Sequence, residues 1–270
     1  MIYVCQIIYL PQIVLYSASK GRYLHCKDRI YRCFVFMKIF RLGSCRVFRM
    51  PRLWGFSRNK AIGFTHGVDE HLQLVKFLQD RSSVAEELFR YVFTYWGGDQ
   101  LRDNIEEIYT QNQTAFKEAD VFLIELCSLK RIFYGKWSLD LSRFRNWAHW
   151  GLDAPSEKIH SGAVVSKISK DELCVKLDEL VALLGDRRVI FTGHLNSDQF
   201  GAEIESRGRI NRWLKEYCEG AGHSFYDVSP VLRKRPLLFV DDDALHYTRW
   251  GRRLSFLMFM RAYFSKCHKK

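Results

Sequence analysis

At 270 residues and 47% hydrophobic, the chain is long enough to bury a full core, and its length fits one domain or at most two; we read one. The formal charge of +12 favours an anionic partner, such as a phosphorylated or uronic-acid substrate. No helix-turn-helix, zinc-knuckle or RNP-type pattern accompanies it, which argues against nucleic acid.

Eight cysteines are scattered with no C-x-x-C pair, so neither a zinc site nor a disulfide framework is expected, and a reduced, cytoplasmic setting fits best. Residues 1–36 supply +4 of the charge and read as an N-terminal extension outside the folded domain. Their apolar start, Met1 to Tyr16, lacks a basic n-region and is too short to span a bilayer as a helix. Met37 would be a natural start for a domain over 37–270.

From Met37 short apolar runs alternate with amphipathic stretches, the sequence form of an α/β protein with a parallel sheet. The first strand is Lys38 to Leu42, and Pro51 and Gly55 keep any helix after Ser44 brief. Helices are expected over Val68–Leu78, from a Ser83-x-x-Glu86 capping box through Val92, and over Gln100–Lys117. Val121 to Leu126 is an unbroken apolar run carrying one carboxylate, as in a central strand buried on both faces.

Residues 131–162 differ in character, with Tyr134, Trp137, Phe144, Trp147 and Trp150 among Lys136, Arg143 and Arg145. This insertion reads as a lid or substrate wall, or else as a small core of its own. Ser169-x-x-Glu172 then caps a helix along Leu173, Leu177, Leu180 and Leu184. Arg188–Thr192 is a strand, Gly193-His194-Leu195-Asn196 a loop, Ile210 to Tyr217 a helix ended by Gly220 and Gly222, and Ser224–Val228 a strand. An apolar helix through Leu254 to Met260 closes the chain.

Two motifs carry chemistry. Gly43-Ser44-Cys45 ends the first strand, and Asp243-Ala-Leu-His246 precedes the last helix. A hydroxyl becomes a nucleophile when a base takes its proton, and the base needs a third group to fix its tautomer. Ser44, His246 and Asp243 can fill those roles, with the Ser44 N–H donating to an oxyanion. An ordinary strand-end serine and a helix-capping histidine are the bland alternative.

In the order of these blocks the chain from Met37 to Phe264 resembles the SGNH (GDSL-like) hydrolases. It is most similar to a divergent branch whose first block reads Gly-Ser-Cys and which includes GSCFA-domain and polysaccharide-biosynthesis proteins. The resemblance implies a flavodoxin-like three-layer α/β/α sandwich with a central parallel sheet, and a triad of Ser44, Asp243 and His246 that needs no metal or organic cofactor. It further implies an esterase or O-acyltransferase acting on acyl groups of a carbohydrate or similar polar substrate.

The family's oxyanion glycine and Gly-x-Asn find only partial matches. Gly67 is the nearest second-block glycine, and Ser128 stands where the third-block asparagine is expected. Gly193, His194 and Asn196 form a displaced donor loop or a plain strand-ending turn. Glu125 can orient Arg46 or a substrate hydroxyl, and Arg46 and Arg49 can meet an anionic substrate. A non-catalytic glycan- or nucleotide-sugar-binding module on the same scaffold is the alternative.

Overall fold

Five short strands follow the apolar runs: β1 (Lys38–Leu42), β2 (Ser57–Arg58), β3 (Val121–Glu125), β7 (Arg188–Thr192) and β8 (Ser224–Tyr226). They form one sheet in the order β2-β1-β3-β7-β8, and every pairing is parallel. That order is the flavodoxin-like one, with β1 and β3 adjacent at the point where the winding reverses. The computed structural model describes residues 37–49 and 57–265; the expectation for residues 1–36 lies outside them. Apart from Met37, the described residues belong to one compact unit.

The register fixes which side chains share a face. Leu42 pairs with Ile124 and Ile124 with Phe191, while Arg41 pairs with Leu123 and Leu123 with Ile190. Because strand side chains alternate, these two rows point to opposite faces. The first row joins a core with helices α2 (Val68–Gln79), α3 (Ile105–Lys117), α4 (Lys170–Leu184) and α5 (Glu205–Ala221), which together contribute Leu72, Val75, Phe116, Leu177 and Leu214. The opposite face meets α6 (Arg249–Ser265), where Arg188 lies over the Tyr263 ring and donates to the Ala262 carbonyl. Helices on both faces of a parallel sheet make the three-layer α/β/α sandwich.

The helix ends obey local chemistry. In α4 the Ser169 hydroxyl accepts from the Glu172 N–H at 3.2 Å, and Leu173, Leu177, Leu180 and Leu184 form its buried stripe. Helix α5 ends at Gly222 in the left-handed conformation, φ 74°.

Two expected elements differ. The Ser83 capping box is not formed: Asp80 caps a short turn over Arg81–Ser83 instead, and only single turns follow, over Glu86–Leu88 and Phe89–Val92. The expected helix over Gln100–Lys117 begins at Ile105.

The aromatic insertion builds a separate antiparallel sheet, in the order β5-β4-β6, from β4 (Lys130–Tyr134), β5 (Trp137–Leu139) and β6 (Ala163–Lys167). Its aromatics pack. Phe144 joins the main core, Trp137 Nε1 donates to the Ser83 carbonyl at 2.9 Å, and Tyr134 stacks on Trp137. Arg143, fully buried, donates to the carbonyls of Arg90, Thr94 and Gly97. Of the two expectations for this stretch, packing rather than a lid describes these contacts. No helix among the described residues is long and apolar enough to cross a membrane.

Candidate active site

Open α/β sheets bind ligands outside the carboxyl ends of their strands at the switch point, here between β1 and β3. Ser44 follows β1 there, and Glu125 ends β3. Gly43 makes the approach possible. Its φ of 148° disfavours other residues, and a Cβ would lie 2.9 Å from Glu125 Cβ.

Ser44 is the N-cap of a single-turn helix α1 (Cys45–Phe48), and its hydroxyl accepts from the Arg46 N–H at 3.2 Å. The residue is 3% exposed. Its hydroxyl donates to Glu125 Oε2 at 2.5 Å, and its backbone N–H donates to the same oxygen at 3.2 Å. The expectation of a Ser44 N–H open to an oxyanion is thereby corrected: a carboxylate already holds that donor.

Glu125, 1% exposed, is paired with Arg46, whose Nε donates to Oε1 at 2.7 Å. Burial alone would lower the Arg46 pKa, but the Glu125 carboxylate outweighs it and holds the guanidinium firmly charged. Arg46 Nη1 donates to the Leu245 carbonyl at 2.8 Å, and Nη2 to Cys127 Sγ at 3.0 Å. Burial pushes the Cys127 thiol well up, so it stays protonated.

Leu245 belongs to the Asp243–His246 loop. Asp243 Oδ1 accepts from the Leu245 and His246 N–H groups at 2.7 and 3.0 Å, and Oδ2 is bonded to His246 Nδ1. Burial opposes the charge on Asp243, yet the His246 ring and these N–H groups hold its carboxyl below the usual range. Ala244, in the same loop, has φ 51°, a left-handed conformation costing about 1–2 kcal/mol for a non-glycine residue. Arg207 of α5 supports it, donating to the Ala244 carbonyl at 2.7 Å and to Leu195 at 3.2 Å. No hydrogen bond joins Ser44 to His246 among the described residues.

The remaining candidates divide. Ser128 donates its N–H to the His66 carbonyl and its hydroxyl to the Lys130 carbonyl, so both its donors are committed within the loop. The Gly193 N–H donates to the Tyr226 carbonyl, and the His194 N–H to Asn211 Oδ1. Asn196 Oδ1 accepts from the Ile204 N–H, and its own N–H donates to Ser229. Gly193 and Asn196 thus brace the loop after β7. The His194 ring is buried with Nδ1 unpartnered, and burial, then Arg46 and Arg207, keep it neutral. Arg49 follows α1 as its C-cap and forms no ion pair among the described residues.

Sequence reasoning missed Arg207, Cys127 and His66. His66 lies beside Gly67, the N-cap of α2, and its carbonyl accepts the Cys127 N–H at 2.7 Å, joining the loops after β2 and β3. Burial opposes a charge on His66, but Glu70, hydrogen-bonded to it, raises its pKa to about 9. The Gly67 N–H makes no hydrogen bond among the described residues and sits at the positive end of a 12-residue helix.

Residues 37–148, less than half of the chain, match the family model of the TviD N-terminal domain. The matched span contains Ser44, Arg46, Glu125 and Ser128 and stops short of the Asp243–His246 loop. No curated protein matches the chain. Among solved structures, the chain is similar to a protein of Slackia heliotrinireducens described as a candidate SGNH hydrolase, with 12% identity, TM-score 0.41 and coverage of 84% of this chain and 99% of that one. A variant of an acetyl-xylooligosaccharide esterase from Geobacillus Stearmophilus gives 14% identity, TM-score 0.39 and coverage of 85% and 95%. An α/β hydrolase from the metagenome of Lake Arreo, Spain, gives 14%, 0.38, and 85% and 97%. With TM-scores this low, the fold rests on the strand order and register themselves: a flavodoxin-like α/β/α sandwich with its candidate site at the β1/β3 switch point.

Proposed function

We propose that the protein is a serine esterase or O-acyltransferase that acts on acyl groups of a carbohydrate or similar polar substrate. Ser44 is the nucleophile, His246 the base and Asp243 the residue that orients it. One observation carries the reading: Ser44, Glu125, Arg46 and the Leu245 carbonyl form a continuous hydrogen-bonded chain, so segments about 200 residues apart in sequence share one network that is buried at Ser44.

Asp243 on Nδ1 leaves Nε2 of His246 as the nitrogen that takes a proton. Ser44 Oγ attacks the acyl carbon while its proton passes to His246 Nε2, and the carbonyl π pair moves onto oxygen. His246 returns the proton to the leaving oxygen as the C–O bond breaks. The resulting acyl-enzyme is resolved by water or by an acceptor hydroxyl along the same route. Gly67 supplies the open N–H for the oxyanion.

A non-catalytic binding module is the second reading, favoured by the hold of Glu125 on both donors of Ser44. A fluorophosphonate probe separates the two. The esterase reading expects labelling of the wild type and loss of labelling in Ser44→Ala, together with loss of hydrolysis of a small acyl ester. A wild type that stays unlabelled at high probe concentration would favour the binding module.

A further inference from the structure

The nucleophile of the proposed reaction is held by a carboxylate, and that carboxylate is held by the arginine two residues after the nucleophile. Building on the reading of Ser44 as nucleophile, we propose that Glu125 and Arg46 are positioning residues. Glu125 fixes the Ser44 side chain, and Arg46 neutralises Glu125 while locking the Asp243–His246 loop to the same frame.

The geometry leaves Ser44 little freedom. Oε2 of Glu125 takes both the N–H and the O–H of Ser44, and the Arg46 N–H occupies one lone pair of Oγ. An acyl carbon must therefore meet the other lone pair of Oγ. A bare carboxylate here would repel the developing oxyanion, and an unpaired buried carboxylate is costly in itself. Arg46 removes both problems through Nε.

Its other two nitrogens are also used. Nη1 holds the Leu245 carbonyl, one residue before His246, and Nη2 meets the Cys127 thiol. A guanidinium can satisfy three directions at once, whereas an ammonium on a lysine stem cannot reproduce that fork.

In the reaction the Ser44 proton swings from Glu125 Oε2 to His246 Nε2 as the acyl donor arrives. Glu125 and Arg46 gain and lose no proton at any step. Their part is to hold oxygen, base loop and charge balance in register before the bond forms. The substrate contact expected of Arg46 is thereby replaced by a role inside the protein, and of the expectations for Glu125 the pairing with Arg46 is the one formed.

The test compares phosphonate labelling rates, and kcat and KM for a small neutral acyl ester, across folded variants. Glu125→Gln, close to isosteric, should lower the labelling rate and kcat by roughly 10- to 100-fold while KM stays within about twofold. Arg46→Met should lose more, because it strands the carboxylate, and Arg46→Lys should lose activity through the broken fork although it keeps a charge. The double variant Glu125→Gln/Arg46→Met should lose less than the product of its parents, since the two residues act as a unit. The acid limb of the pH–rate profile should stay in place in Glu125→Gln, because the base is His246.

A folded Glu125→Gln protein with wild-type rates overturns the proposal, as does a displaced acid limb or a simple multiplication of the two losses. If Arg46→Met does not fold, Glu125→Gln decides alone, through its rate measured well below its own melting temperature, which loss of the buried pair lowers. A wild type that is not labelled, or a Ser44→Ala protein labelled equally well, brings down the esterase reading first and this inference with it. Labelling that needs Ser44 but ignores Glu125 and Arg46 brings down the inference alone.

Discussion

Individual residues show how burial chooses protonation states. His71 of α2 is fully buried, its Nε2 against the Glu125 carbonyl at 3.0 Å and its Nδ1 without a partner. Burial lowers its pKa to about 4 from the ordinary 6.5. Above pH 6.5 the ring is neutral in both folded and unfolded chains, and stability is at its full value. As pH falls below 6.5 the unfolded chain takes up a proton that the folded protein refuses. The loss grows until about pH 4 and is on the order of 3 kcal/mol. His194 pushes in the same direction. Urea denaturation at pH 7 and at pH 4.5 should therefore show a smaller difference in His71→Gln than in the wild type. An equal difference would show that His71 does not contribute to the acid sensitivity.

Single elements were unevenly legible. Lys38–Leu42 and Arg188–Thr192 have the bounds expected from their apolar runs, and in each strand every residue after the first is buried. Ser169 capped its helix as expected, but Ser83 did not. Asp80, three residues earlier, offers a stronger acceptor and takes the Ser82 N–H first. The loops were harder still. Asn196 looks like an oxyanion donor by composition, yet its backbone N–H goes to Ser229 and its Oδ1 accepts the Ile204 N–H, partners that no periodicity reveals. The insertion hid its role for a similar reason. Arg143 reads as a substrate-facing cation but serves as a buried strut for three carbonyls. Arg143→Met would leave those acceptors unpaired, at a cost of about 3 kcal/mol or more. Thermal melting should show a large drop, and a melting temperature equal to that of the wild type would contradict the strut.

On the scale of the whole molecule, the parallel sheet does what no local motif can. The pairing of Leu42 with Ile124 sets Ser44 beside Glu125 across 81 residues of sequence, and Arg46 and Arg207 then draw in the Asp243–His246 loop. The serine and the Asp-x-x-His could be read from the sequence because each is a short motif. Of the carboxylate clamp, the pairing of Glu125 with Arg46 was among the expectations, but its hold on Ser44 was not, since that exists only through long-range register. The account's central claim is that these distant segments form one catalytic unit around Ser44. Its most direct test is peptide mapping of the phosphonate adduct in the wild type and in His246→Ala. The account predicts a single adduct on the peptide containing Ser44 in the wild type and almost none in the variant. An adduct on any other residue, or equal modification of Ser44 without His246, would contradict it.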